Sequence, residues 1–158
     1  MLLWQIRRLG ALMISLTMEY ALRALAHLAS LPAETSLNSE ALAAATRVPK
    51  GYLSKIMRDL VLADLVKSQR GPNGGFTIAR PPDTISVLEV VNAVDPIQRI
   101  KKCPLGRPDH TTLCPLHRRL DDAVALIESR FAETSVAELL EVPGGKPGGA
   151  SPFGAAPC

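Results

Sequence analysis

Apolar positions along the chain follow a helical period, then alternate over two short runs, then return to the helical period. From Thr17 to Leu31, residues Leu22, Leu25, Ala26, Leu28 and Ala29 share one helical face, and Pro32 follows as a stop. Ser39 to Thr46 is short and Ala-rich, which predicts a second helix. Pro49 suits the start of a third, running to about Leu62 with Leu53, Ile56, Met57, Leu60 and Val61 on one side. Val66 to Gln69 and Phe76 to Ala79 predict short strands around Arg70-Gly71-Pro72-Asn73-Gly74-Gly75. Asn-Gly between two such runs signals a hairpin, because both residues tolerate positive φ. Ser86-Val87-Leu88-Glu89 fits a capping box that opens a helix to about Val94. A cysteine-containing loop precedes a long helix from about Pro115 to Glu133, and Ser135-Val136-Ala137-Glu138 forms a second capping box opening a short final helix.

The ends of the chain read differently. Residues 1–12 are apolar but interrupted by Arg7 and Arg8, an order that does not suit a secretory signal. Met13 offers an alternative translation start, in which case that extension is not part of the protein. Pro143 to Cys158 holds five Gly and four Pro in sixteen residues, the composition of a disordered tail whose Cys158 is a free, solvated thiol. Expected divisions are therefore an extension (1–12), a DNA-reading domain (13–95), a sensor loop (96–114), a dimerisation helix with a terminal helix (115–142) and the tail (143–158).

Composition narrows the class. With 158 residues, 47% apolar and 21% charged, the chain can bury a core without disulfides or a structural metal. No uncharged apolar run approaches the roughly 20 residues of a membrane span, so no membrane partner is expected. Three cysteines, Cys103, Cys114 and Cys158, do not read as a disulfide framework.

Helix, short helix, helix and hairpin in that order is the winged helix-turn-helix arrangement, mainly α with a small β-hairpin wing. Its third helix enters the major groove, so its exposed side must offer donors and phosphate partners. Off the apolar face of the 50–62 helix stand Lys50, Gly51, Ser54, Lys55, Arg58 and Asp59. From Arg47 to Arg80 seven basic residues, including Lys67, Arg70 and Arg80, face only Asp59 and Asp64. That is a net of +5 in a chain whose total is +3. A merely solvated basic face is the plain alternative. The hairpin directly after the helix, with Arg70 at its tip and Asn73 in its turn, favours an electrostatic footprint for duplex DNA. Tyr52 on the same helix joins the expected contact set.

On the long helix, Leu113, Leu116, Leu120, Val124, Ile127 and Phe131 recur at spacings of 3, 4, 4, 3 and 4, a coiled-coil-like seam for a second copy or for the helix's own domain. Two-fold symmetry places two recognition helices about one DNA turn, around 34 Å, apart. In the loop, Cys114 and His117 are three residues apart at a helix start and can face one point. Thiolates select iron–sulfur clusters or zinc, histidine suits either, and Lys101, Lys102, Arg118 and Arg119 favour the thiolate form.

Glu19-Tyr20-Ala21-Leu22-Arg23, Pro49-Lys50-Gly51-Tyr52-Leu53-Ser54-Lys55-Ile56, Arg70-Gly71-Pro72-Asn73-Gly74-Gly75-Phe76 and Ala79-Arg80-Pro81-Pro82-Asp83-Thr84-Ile85-Ser86-Val87 together resemble one bacterial winged-helix regulator family. It is typified by the iron–sulfur cluster regulator IscR and the nitric-oxide-sensitive repressor NsrR. The resemblance covers about Ile14 to Val142. It implies a cytoplasmic homodimer on a palindromic operator, base readout at Ser54 and Lys55, and insertion of Arg70 into the minor groove. It also implies a two-iron or four-iron cluster held by loop cysteines, with Cys103 matching the first and Cys114 the last. The family's middle cysteine is absent, Asp109 or His110 standing nearby; His117, or Glu19 from the partner subunit, matches its other ligands.

The expected function is a homodimeric transcriptional regulator, a repressor, with an iron–sulfur or thiol sensor in the Cys103–His117 loop. A cluster-free regulator with a thiol switch between Cys103 and Cys114, or with zinc on Cys103, His110, Cys114 and His117, stays open. So does a redox carrier or protein-interaction module. No GxGxxG, P-loop, HExxH or CxxC occurs in the chain, so an enzyme is not expected.

Overall fold

Ser15 starts the first helix by accepting a hydrogen bond from the Met18 amide at 3.2 Å, satisfying one of the amides a helix start leaves open. The computed structural model describes residues 15–72, 74–103 and 112–141. The elements are α1 (Leu16–Ala29), α2 (Ser39–Thr46), α3 (Lys50–Leu62), β1 (Val66–Gln69), β2 (Gly75–Ile78), α4 (Val87–Val94) and α5 (Pro115–Glu133). The expected 1–12 extension, Asn73, Asp109, His110 and the tail from Pro143 to Cys158 lie outside the described residues.

α1 is the central helix. Ala21 and Ala24 are fully inaccessible and carry so little side chain that α2, α3 and α4 all pack directly on them and on Leu25 and Leu28. Asn38 caps α2 by accepting from the Ala41 amide at 2.8 Å. Arg47 ends α2 in the left-handed conformation at φ 57°, which turns the chain. Val48, 2% exposed, fills that turn. Pro49 sits at the N-cap of α3, one residue before the first helical position. α3 then buries Leu53, Ile56, Met57 and Leu60 at the expected helical spacing, while Val61 is only partly covered.

The two strands pair antiparallel from Val66 with Ile78 to Gln69 with Gly75, leaving residues 70–74 as the wing tip. The second strand starts and ends one residue earlier than the alternation suggested. The conformational demand falls differently too. Gly71 takes the positive φ, 118°, while Gly74 is needed for closeness, since a Cβ there would lie 2.4 Å from the Gln69 carbonyl oxygen. At Gly75 a Cβ would lie 2.5 Å from the Leu37 carbonyl oxygen. Leu37 exchanges backbone hydrogen bonds with Phe76 (3.0 and 2.8 Å), so the wing is pinned to the α1–α2 connection.

Ser86 and Glu89 form the expected capping box at α4. The Arg80 guanidinium, 2.7 Å away, and then the Ser86 amide hold the Glu89 carboxyl below its ordinary range. The second box also forms, with the Ser135 amide donating to Glu138 at 2.8 Å, but it opens only a 3-10 turn, Glu138–Leu140. Pro143 disfavours helix at the residue before it and offers no amide, so no full helix has room. Ser135 pairs with Ser86, and fully buried Val136 donates to the Ile85 carbonyl at 2.8 Å. This return strap ties the end of the fold to the base of the wing. α5 lies against α4, with Phe131 and Leu139 packed on Met18, Val87 and Val91, yet none of its residues is fully buried. Among the described residues no helix is long and apolar enough to cross a membrane.

Gly75→Ala should destabilise the protein by about 1–3 kcal/mol through backbone overlap. Gly51→Ala, which meets nothing within 4 Å, should be neutral or stabilising; urea unfolding measures both. Because the Glu89 carboxyl is depressed, its contribution exists above the ordinary carboxylate range and vanishes as pH falls through it. The wild-type advantage in melting temperature over Glu89→Gln should therefore be present at pH 7 and shrink below about pH 4.

Candidate nucleic-acid interface and thiol–imidazole centre

The exposed side of α3 carries the residues the sequence pointed to. Lys50, Tyr52, Ser54, Lys55 and Arg58 are all exposed, while the opposite side is locked in the core. Their local ties differ. Lys50 is ion-paired to Glu40 of α2, and Ser54 donates to the Lys50 carbonyl at 3.1 Å. Arg58 reaches Asp59 at only 3.5 Å, and Tyr52 sets its ring edge-on to Tyr20 at 5.9 Å. No side chain caps the first turn of α3 and no acidic residue stands in it, so the positive end of the helix remains open to phosphate. Lys67 on β1 and Arg70 at the wing tip are exposed on the same unit. Arg80 is not part of this surface: it is half-buried and paired with Glu89. The positive charge without a carboxylate partner among the described residues is thus smaller than the residue count suggested, and it lies at Arg47, Lys55, Lys67 and Arg70.

The second cluster forms where the segment after α4 meets the start of α5. Cys114 stands at the N-cap of α5 and His117 one turn inside. His117 Nδ1 lies 3.1 Å from Cys114 Sγ and 3.6 Å from Cys103 Sγ, and the three donor atoms lie within 4.8 Å of one another. The His117 backbone amide, and next its imidazole, draw the Cys114 thiol down to about 7, so roughly half of it is thiolate at neutral pH. Two sulfurs and an imidazole gathered in this way are the donor types that a tetrahedral zinc or an iron–sulfur cluster takes. Glu19 is not in this group; within the chain it pairs with Arg23.

The profile described as "iron-dependent transcriptional regulator", that of Rrf2, matches residues 14–142. The chain belongs to the Rrf2 family. An HTH-type transcriptional regulator of Mycobacterium tuberculosis is 33% identical over 126 residues, covering 77% of this chain and 76% of its own length. One from Aquifex aeolicus is 28% identical over 130 residues, covering 80% and 90%. Among solved structures, CymR, the global cysteine regulator of B. subtilis, superposes with TM-score 0.67 at 25% identity, covering 81% of this chain and 95% of that one. IscR of T. potens has the same fold, at TM-score 0.67 and 22% identity, covering 83% and 88%. This Rrf2 protein is accordingly a winged-helix, DNA-binding transcriptional regulator and not an enzyme.

Two features of the Rrf2 chain escaped the sequence. Arg99 lies in the segment before Cys103 and clamps Asp121 and Glu128 of α5, a pairing 22 and 29 residues apart in sequence that no local pattern announces. The other is His27 of α1, whose Nδ1 is buried without a hydrogen-bond partner among the described residues and whose pKa burial pushes down. Lys55→Ala and Arg70→Ala should each weaken binding to duplex DNA and lower the slope of log affinity against log salt by about 1. Arg80→Ala should leave that slope unchanged, as read by fluorescence anisotropy across salt concentrations.

Proposed function

We propose that the protein is a homodimeric repressor that reads a palindromic operator and adjusts its hold on DNA through the Cys103–Cys114–His117 centre. The convergence of those three donors at the junction between the DNA-reading half and α5 is the observation that carries this reading. α3 with Ser54 and Lys55 reads the major groove, Arg70 and Asn73 enter the minor groove, and Lys50, Tyr52, Arg58 and Lys67 grip backbone or neighbouring edges. Leu116 and Leu120 of α5 are 63% and 47% exposed, an apolar face on a helix with no fully buried residue, which suits a second copy. Val124 and Ile127 extend this face. Phe131 belongs instead to the chain's own cluster with Met18, Val87 and Val91, so the seam is shorter than its spacing suggested.

An iron–sulfur cluster bound at the centre would supply redox-reactive and nitric-oxide-reactive chemistry. Cys103, Cys114 and His117 would hold it, with Glu19 of the second copy completing the shell. The chain's own residues set the consequence: the centre lies between α4, which packs on α1 and α3, and α5, which carries the dimer face. A change in how the three donors are held alters the angle between two recognition helices. A thiol pair or a zinc ion on the same donors is the second reading, favoured by the Cys114 thiol lying near 7. The cytoplasm, where thiols stay reduced, suits all of these.

Selection from random duplexes with anaerobically purified protein should enrich a two-fold symmetric motif with half-sites about 10 base pairs apart, bound by a dimer in sedimentation. Visible absorption of the same material should show sulfur-to-iron bands, and their loss on chelation should change DNA affinity by about tenfold or more. Monomeric protein, an asymmetric motif, or equal affinity before and after loss overturns the respective part.

A further inference from the structure

We infer that Arg99 is a positioning residue whose clamp on α5 holds the Cys103 thiol against Cys114 and His117 before any metal arrives. The inference rests on the reading of those three side chains as one centre.

Cys103 is the only one of the three that does not belong to α5. It follows α4 by way of residues 95–102, which form no helix or strand. Two attachments hold that segment down. Ile97 packs on the cluster of Met18, Val87 and Val91. Beyond it, Arg99 grips Asp121 with two parallel hydrogen bonds, Nε to Oδ1 at 2.7 Å and Nη2 to Oδ2 at 2.6 Å, and its Nη1 reaches Glu128 at 3.1 Å. The Ile100 amide adds a third bond to Asp121, at 2.9 Å. A planar guanidinium matched to a carboxylate in this way fixes direction as well as distance, which an ammonium cannot do.

The address of the clamp matters. Asp121 lies one helical turn after His117, about 6 Å along α5, on the same side. From Ile100, tied to Asp121, only Lys101 and Lys102 intervene before Cys103. The clamp therefore sets the position of the backbone three residues before Cys103. With it, three donors from two segments stand within 4.8 Å of one another. The Asp121 carboxyl is held down at about 2 by Arg99, so the pair stays charged throughout the neutral range.

The test reads thiol proximity without a metal. Full-length protein carrying Cys158→Ser, which leaves Cys103 and Cys114 as its thiols, is reduced, stripped of metal and titrated with phenylarsine oxide. That reagent condenses with two nearby thiols, forming two As–S bonds and releasing one water. One arsenical should bind per chain, and Arg99→Ala should weaken its binding about tenfold, the order expected when a tethered partner regains its freedom. Asp121→Asn should behave like Arg99→Ala, and Arg99→Lys should recover only part. Melting temperature and far-ultraviolet circular dichroism should not move, because the clamp is at the surface and outside the core. Equal arsenical affinity in Arg99→Ala and the parent overturns the proposal, as does a parent that takes up no bridging arsenical. Cobalt(II) titration of the parent keeps the two readings apart. Bridged thiols without a sulfur-to-cobalt absorption band support the clamp and reject the metal-holding role of the centre.

Discussion

The close approach of three helices to the small-residue face of α1 governs the rest of the molecule. Ala21 and Ala24 contribute almost no volume, so α2, α3 and α4 come near enough for Leu25 and Leu28 to share a core with Leu42, Leu53, Ile56, Leu60 and Val90. Close-packed interiors of this kind resist sliding. As a result the outer side of α3 is a rigid platform, and α4 is fixed relative to it. The wing inherits the same frame through Leu37 and Phe76, and the return strap does so through Val136.

On that frame, pairing rather than residue count decides which charges face DNA. Lys50 is tied to Glu40 and Arg80 to Glu89, whereas Lys55, Lys67 and Arg70 stand exposed. A cation that already has a carboxylate partner must lose it before it can neutralise a phosphate, so such residues contribute less to binding than free ones. The surface is therefore more focused than its composition: the centre of the recognition helix and the wing carry it.

The sensor region obeys a different constraint. α5 is held to the core at its C-terminal end through Phe131 and leaves Leu116 and Leu120 exposed towards its N-terminal end. Cys114 and His117 move with α5, while Cys103 is delivered by the segment from α4.

Much of this was legible in the chain itself. The bounds of α2 and of α5, the capping box at Ser86 and the buried face of α3 follow from helical period, caps and proline, because those signals act within a few residues. The hairpin that Asn-Gly signalled was legible as well, and it forms, with Asn73 outside the described residues. Gly71 carries the positive φ, and Gly74 and Gly75 are there to admit neighbouring backbone. The short final element departed from its capping box because Pro143 leaves a helix no length. Tertiary structure alone decided that Phe131 faces inward, that Lys50 and Arg80 are partnered, and that Arg99 pairs with Asp121 and Glu128 of α5. Each of these depends on residues far apart in sequence meeting in space. Local periodicity says which side of a helix is apolar, but not which of several partners will cover it.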